Sequence, residues 1–312
     1  MRIEDIYAAK DRIGKYIYPT PLLHSPLLSH QTKKEVWLKL ETQQLTGSFK
    51  IRPALNSILC NLEQARQAGV VASSSGNFAQ GVAYAARLLQ IKAMIVMPDN
   101  TLPYKIERTK KLGAEVVLCE NSQEARISTT TRIQQETGRV LLHPYDSIET
   151  VAGDGTIGLE LSNQLIHQMS CPFSILVPVS GGGLVAGIAS AIKSLHPQCK
   201  VIGLQSVVCG SLLKSLKAKH LVNVPPFKTV ADALVATEPG KLPFEIAKQY
   251  VDDVIVIEEE AILKATGYMI EEHKLVVEPA SALTVAALLN HKISGQHVIC
   301  IISGGNIPLW KP

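Results

Sequence analysis

From Gly69 to Leu141 the chain repeats one pattern: a short apolar run, a turn, then an amphipathic stretch of helical length. Val70-Val71-Ala72 reads as a strand, Asn77 to Leu89 as a helix, Ala93 to Met97 as a strand and Pro103 to Leu112 as a helix. Glu115 to Leu118, Gln123 to Thr137 and Val140-Leu141 continue the alternation. Parallel strands need long crossovers, and such crossovers are right-handed, so this stretch predicts an α/β unit with a parallel sheet. A second series starts near Val151, with a helix to about Gln168, a strand from Ser174 to Val177, a helix from Gly183 to Leu195 and a strand from Lys200 to Leu204. Strand Asp253 to Ile257, helices Glu258 to Glu272 and Ser281 to Leu289, and strand His297 to Ile302 complete it. Ahead of both lie an amphipathic helix from Ile3 to Ile17, an extended Pro19-Thr20-Pro21-Leu22, and an alternating strand from Val36 to Glu41. The fold expected is α/β, with two open parallel-sheet lobes and a cleft between them. Ligands of such sheets sit at the carboxyl ends of the strands.

Composition narrows the partners. A chain of 312 residues with 46% hydrophobic and 19% charged content is ordered and long enough for two domains. Net charge is only +4 and aromatics are 5%, which disfavours nucleic acid. Lys214, Lys217 and Lys219 read as one solvated helix face. Cys60, Cys119, Cys171, Cys199, Cys209 and Cys300 form no Cys-x-x-Cys pair and no zinc spacing with histidine, which predicts reduced, mostly buried thiols and a cytoplasmic protein. The start, Met1-Arg2-Ile3-Glu4-Asp5-Ile6, carries acids where a signal peptide has its apolar core. Cys171 to Ile192 is uncharged and nearly long enough to span a membrane, yet Pro172, Pro178 and Gly181-Gly182-Gly183 interrupt it. It reads as a buried strand, a tight loop and a helix, and no membrane partner is expected.

Chemistry concentrates at Thr46-Gly47-Ser48-Phe49-Lys50-Ile51-Arg52. Ser48 is placed to cap a helix whose apolar face is Ile51, Ala54, Leu55, Ile58, Leu59 and Leu62, which puts Lys50 in its first turn. The positive end of the helix dipole disfavours a cation there and lowers the lysine pKa, as an amine needs to attack a carbonyl at neutral pH. Alone, such a lysine reads as a surface residue. Glycine-rich loops change the reading. Ser180-Gly181-Gly182-Gly183-Leu184 follows an apolar strand and opens a helix, so successive N–H groups converge on a phosphate or another anion. The loop has neither the spaced glycines of a dinucleotide fingerprint nor the Gly-Lys-Ser/Thr ending of a P-loop. Ser73-Ser74-Ser75-Gly76-Asn77 offers hydroxyls, an amide and N–H groups suited to a carboxylate, although alone it is an ordinary cap. Ser303-Gly304-Gly305-Asn306 ends the last strand. A lysine with a phosphate cradle and no metal motif points to pyridoxal 5'-phosphate held as a Schiff base. Spacing supplies the cofactor class but no reaction.

With these motifs in this order the chain resembles the serine/threonine dehydratase and serine racemase family of fold-type II pyridoxal phosphate enzymes, which are tryptophan synthase β-subunit-like. The resemblance runs from Pro19-Thr20-Pro21-Leu22 through Ser303-Gly304-Gly305-Asn306, and includes Gly47 to Arg52, Ser75-Gly76-Asn77, Gly153-x-Gly155-Thr156-Ile157-Gly158, the 180–184 loop and Glu278-Pro279. It implies that Lys50 is the catalytic Schiff-base lysine, that Phe49 packs beside the cofactor ring and that Asn77 bonds the ring's 3-hydroxyl. Ser180, Gly181, Gly182, Gly183 and Leu184 would hold the phosphate, and Ser303 would face the pyridine nitrogen. A serine there in place of a carboxylate leaves the ring less electron-withdrawing, which favours elimination. Ser74, Ser75, Gly76 and Asn77 would bind the substrate. In racemases of this family a serine at the position of Ser75 is the second acid–base group, on the ring face opposite the lysine.

The activity so implied is α,β-elimination of L-threonine or L-serine to a 2-oxo acid and ammonia. Alternatives are a racemase of serine or a related amino acid and a 3-hydroxyaspartate dehydratase. The rival from another class is an amino-acid-binding protein with an inactive cleft, which loss of Lys50 would have supported. The resemblance also implies a large cofactor-binding domain of residues 1–68 and 147–312, a small mobile substrate-side domain of residues 69–146, and a homodimer. Several positions depart from the family pattern. Gln205 and Ser211 stand where the divalent-cation site has carboxylates, so no metal is expected. Phe78 replaces a histidine, Ser180 a glycine, and Ala233 the glycine of Ala-Asp-Gly. Tyr145 takes a place often held by asparagine or phenylalanine. The chain ends soon after its last strand, so end-product inhibition through a regulatory domain is not expected.

Overall fold

A computed structural model describes residues 1–165 and 172–308. Its strands are β1 (Leu22–His24), β2 (Glu35–Leu40), β3 (Val70–Ser73), β4 (Ala93–Pro98), β5 (Glu115–Cys119), β6 (Val140–Leu142), β7 (Phe173–Pro178), β8 (Lys200–Ser206), β9 (Asp253–Ile257) and β10 (His297–Ile302). Strands β3 to β6 form a four-stranded sheet in the order β5-β4-β3-β6, with every pair parallel. The remainder form a six-stranded sheet in the order β1-β2-β10-β7-β8-β9, parallel except for β1 on one edge. Helices cover both faces of its central strands. Hence β7 and β10 read Phe-Ser-Ile-Leu-Val-Pro and His-Val-Ile-Cys-Ile-Ile without alternation, and are almost wholly buried. The expected architecture of two open parallel sheets is borne out.

Several boundaries move. The first helix stops at Ile13, closed by Gly14, and Tyr16 and Ile17 pack separately on the core. The helix after β6 opens at Ile148 and is described to Leu165; its expected end at Gln168 lies outside the described residues, as does Cys171. The helix whose apolar face was expected to reach Leu62 breaks at Asn61 and restarts as Leu62–Ala68. Lys214 and Lys217 lie on helix Ser211–Ala218, but Lys219 lies beyond it with φ +63°, closing the helix. Among the described cysteines Cys199, Cys209 and Cys300 are buried, whereas Cys119 is half-buried and Cys60 exposed. Among the described residues no helix is long and apolar enough to cross a membrane.

The helix Ile51–Cys60 is shared by both sheets. Ile51, Ala54, Leu55 and Ile58 join one buried cluster with Val70, Ala72, Phe78 and Val82 of the smaller sheet unit. Its opposite side is pinned by charge. Arg52, fully buried, donates to Glu41 at 2.8 and 2.9 Å and to Glu160 at 2.6 and 2.9 Å. Lys39, also buried, donates to Glu160 at 2.8 Å, to Gln164 at 3.0 Å and to the Thr20 carbonyl at 2.8 Å. This network ties β2, the Ile51–Cys60 helix and the Ile148–Leu165 helix into one frame.

Candidate active site

The loop before Lys50 is held by the end of β10. Ser48 forms an isolated bridge with Gly304, the Phe49 N–H donates to the Ser303 carbonyl at 3.0 Å, and the Gly305 N–H donates to the Gly47 carbonyl at 2.9 Å. Ser48 is therefore not the helix cap expected from sequence. Its backbone is engaged in pairing, its hydroxyl has no hydrogen-bond partner, and Lys50 itself is the cap residue of Ile51–Cys60. Lys50 still stands at the positive end of that helix. Its Nζ donates to the Pro144 carbonyl at 2.8 Å and lies 4.7 Å from the Phe49 ring centre and 5.6 Å from that of Phe78. Burial of the amine pulls its pKa below the lysine range, with Asp154 acting the other way. Phe78, a departure from the family pattern, thus forms one wall around the amine.

The serine-rich loop leaves the carboxyl end of β3, and the helix Asn77–Leu88 behind it approaches Lys50 closely. A Cβ at Gly81 would lie 2.7 Å from the Lys50 carbonyl oxygen. Ser73 is turned away to accept from Arg126 Nε at 3.1 Å, while Ser74 and Ser75 stand half-buried in the loop. Asn77 Nδ2 donates to both oxygens of Glu278 at 2.9 Å, and its Oδ1 accepts from Asn306 Nδ2 at 2.7 Å. The Asn306 N–H adds a donor to Glu278 at 2.8 Å. Burial raises the Glu278 carboxyl above its ordinary range, opposed by these donors. Glu278 and Asn306 therefore orient Asn77. From sequence they were motif members without a role; the only local signal was a glutamate ahead of the proline that opens Pro279–Asn290.

The glycine loop opens the helix Gly183–Leu195. A Cβ at Gly181 would run into the Tyr145 ring, so only glycine fits there. Ser180 Oγ accepts from the Ala236 N–H at 3.2 Å, which leaves its hydrogen free to donate. Ser303, buried at the end of β10, has its Oγ 3.0 Å from Ser281 Oγ. Asp154, which sequence reading passed over inside the Gly153-x-Gly155 motif, lies fully buried beneath the loop with both carboxyl oxygens unpartnered. Gln205 and Ser211 face each other, with Gln205 Nε2 3.4 Å from Ser211 Oγ. Among the described residues no three His, Cys, Asp or Glu side chains gather as metal ligands. Asp232 reaches across the cleft mouth to Lys105, whose Nζ donates at 2.6 Å.

These residues suit a phosphorylated carbonyl cofactor. The cradle excludes side chains at Gly181, its helix N–H groups have no acceptor in their own helix, and the lysine amine is desolvated. Fold and site together define an α/β enzyme that pairs a desolvated lysine amine with a glycine loop opening a helix. The pyridoxal-phosphate dependent enzyme family matches residues 13–304; the chain belongs to that family, and its cofactor is pyridoxal 5'-phosphate. An L-threonine ammonia-lyase of Thermotoga maritima is 42% identical over 306 residues, covering 98% of this chain and 75% of that protein. A threonine deaminase from T.th. superposes with a TM-score of 0.95 at 40% identity, covering 100% of both chains. Maize serine racemase superposes with a TM-score of 0.94 at 37% identity, covering 99% of this chain and 94% of that one.

Proposed function

We propose that this protein is a pyridoxal phosphate-dependent ammonia-lyase that converts L-threonine or L-serine to a 2-oxo acid and ammonia. The observation that carries the reading is 42% identity to an L-threonine ammonia-lyase across 98% of the chain, with Lys50 in place at the site. Bound pyridoxal phosphate supplies the electron sink for the charge left when the α-proton departs. The chain supplies the rest. The N–H groups from Gly181 to Leu184, with the Ser180 hydroxyl, would hold the phosphate. Phe49 and Phe78 flank the Lys50 amine, and its burial lowers the lysine pKa, which favours the free base that takes the α-proton. Ser74, Ser75 and Gly76 receive the substrate carboxylate at the start of helix Asn77–Leu88. Asn77, fixed by Glu278 and Asn306, would hold the ring, and the Ser303 hydroxyl would serve its nitrogen.

Ser75 supports a second reading, racemisation of serine or a related amino acid, and the likeness to maize serine racemase at 37% identity favours it next. We assign residues 1–68 and 147–312 to a larger unit and 69–146 to a smaller, mobile, substrate-side unit, a division supported by the strand membership of the two sheets. A cytoplasmic homodimer completes the proposal. Purified protein with L-threonine, L-serine, D-serine or L-threo-3-hydroxyaspartate is followed for 2-oxo acid and enantiomer composition together. Oxo acid from L-threonine or L-serine, reduced by at least about 10³-fold in Lys50→Ala, is the expected result. Enantiomer exchange that outpaces oxo acid and disappears in Ser75→Ala would instead establish the racemase. Absence of both activities with cofactor bound overturns the substrate class.

A further inference from the structure

Helices Ile148–Leu165 and Gly183–Leu195 cross with almost nothing between their backbones. A Cβ at Gly187 would lie 2.5 Å from the Gly155 nitrogen. That crossing aims Asp154 at the first residue of the second helix, where a Cβ on Gly183 would stand 3.0 Å from Asp154 Oδ2. Asp154 is fully buried, and neither carboxyl oxygen has a hydrogen-bond partner. The cations within electrostatic reach have other partners: Lys50 donates to the Pro144 carbonyl, and Arg52 to Glu41 and Glu160. An ionised carboxylate left without donors in the interior is strongly disfavoured. Burial accordingly pushes this group up to about 7, against the attraction of Lys50 and Arg52 and with the repulsion of Glu41. The segment that packs over Gly181 and Gly183 brings His143, Tyr145 and Asp146 to the same region, and the start of helix Gly183–Leu195 brings no titratable side chain.

A phosphate on this loop adds negative charge beside Asp154. An ionised Asp154 would repel it, whereas a protonated one presents an O–H donor to the cradle. We propose that Asp154 is a positioning residue that must carry its proton while pyridoxal phosphate is held, so that loading the cofactor takes up one proton from solvent at this carboxyl. The inference rests on the pyridoxal phosphate reading of the site, and the test separates the two.

Apoprotein resolved from the holoenzyme is titrated with pyridoxamine 5'-phosphate, whose amine cannot condense with Lys50, and cofactor affinity is measured against pH. Wild type is compared with Asp154→Asn and Asp154→Ser, using whichever variants melt cooperatively. The ligand's own ionisations cancel in the ratio of affinities. Near pH 6 the ratio of variant to wild-type affinity sits on a plateau; for a group titrating near 7 it then rises to roughly thirtyfold above that plateau at about pH 8.5. Calorimetry in two buffers of different ionisation heat shows about one more proton taken up by wild type than by the variants at that pH. Parallel affinity profiles, or equal proton uptake, overturn the inference while leaving the cofactor reading intact. No binding by any of the proteins at any pH overturns both.

Discussion

Arg52, two residues past Lys50, shows what a buried charge costs and holds at the scale of one residue. Removing it leaves Glu41 with the Thr20 hydroxyl and no cation bonded to it, and Glu160 with Lys39 alone, and stranding a buried partner in this way costs about 3–5 kcal/mol. Arg52→Ala should therefore lower the urea midpoint far more than substitution of an exposed arginine such as Arg132. Burial alone would raise the Glu160 carboxyl, but Arg52 and Lys39 outweigh it and hold that carboxyl below the ordinary range. A group whose folded pKa is depressed contributes stability above its unfolded pKa and loses it as pH falls through the folded one. The protein should lose stability on acidification below the ordinary glutamate value of 4.5. Glu160→Gln should flatten that acid limb in denaturant titrations; an unchanged limb would assign the network no role in acid stability. The sequence made some of this scale legible and hid the rest. Lys50 and the glycine loop announce themselves locally, through a helix start and a run of glycines. Asn77 meets Asn306 across 229 positions, and Asp154 acquires its character only where two helices cross, so no window of sequence contains the interaction.

At the scale of elements the decisive contact is between the helix Asn77–Leu88 and the start of Ile51–Cys60. In an isolated helix, Gly81→Ala would stabilise by about 1 kcal/mol through propensity. Here the new Cβ would stand 2.7 Å from the Lys50 carbonyl oxygen and 2.9 Å from its carbon, both backbone atoms that cannot swing aside. Overpacking of this kind costs about 1–3 kcal/mol, so the clash wins. Gly81→Ala should unfold at lower denaturant and bind cofactor more weakly, because the shift moves Asn77 with its helix. Stability equal to the parent would show that the two helices slide without cost. The same contact explains why sequence placed the helices well and the cap badly. Helical periodicity is local, but Ser48 gives up its capping role to a bridge with Gly304, more than two hundred residues away. Among the elements that went unread, β1 and the helices Pro26–Thr32 and Lys241–Tyr250 are short pieces whose periodicity is too brief to stand out.

At the scale of the whole molecule, two sheets share the helix Ile51–Cys60, and a few side-chain contacts join their units beyond it. Asn77 and Asn306, both half-buried, close over the buried Glu278, while Lys105 and Asp232 meet nearer the surface, where the aspartate side chain is 55% exposed. Burial would lower the Lys105 pKa, but the bond to Asp232 outweighs it and raises the lysine above its ordinary range. An ion pair open to solvent contributes about 0.2–1 kcal/mol, so losing it should loosen this contact without dismantling the site. Expressed as affinity, that is at most about a fivefold change. Lys105→Gln should therefore raise KM for the amino-acid substrate by up to about fivefold, leave kcat within about twofold, and remove part of the salt dependence of KM, because the lost attraction is one that mobile ions already screen. Steady-state kinetics at low and high ionic strength read all three. A fall in kcat with KM unchanged would place Lys105 among the groups that touch the reacting atoms, and the mouth of the cleft would then be part of the chemistry instead of its gate.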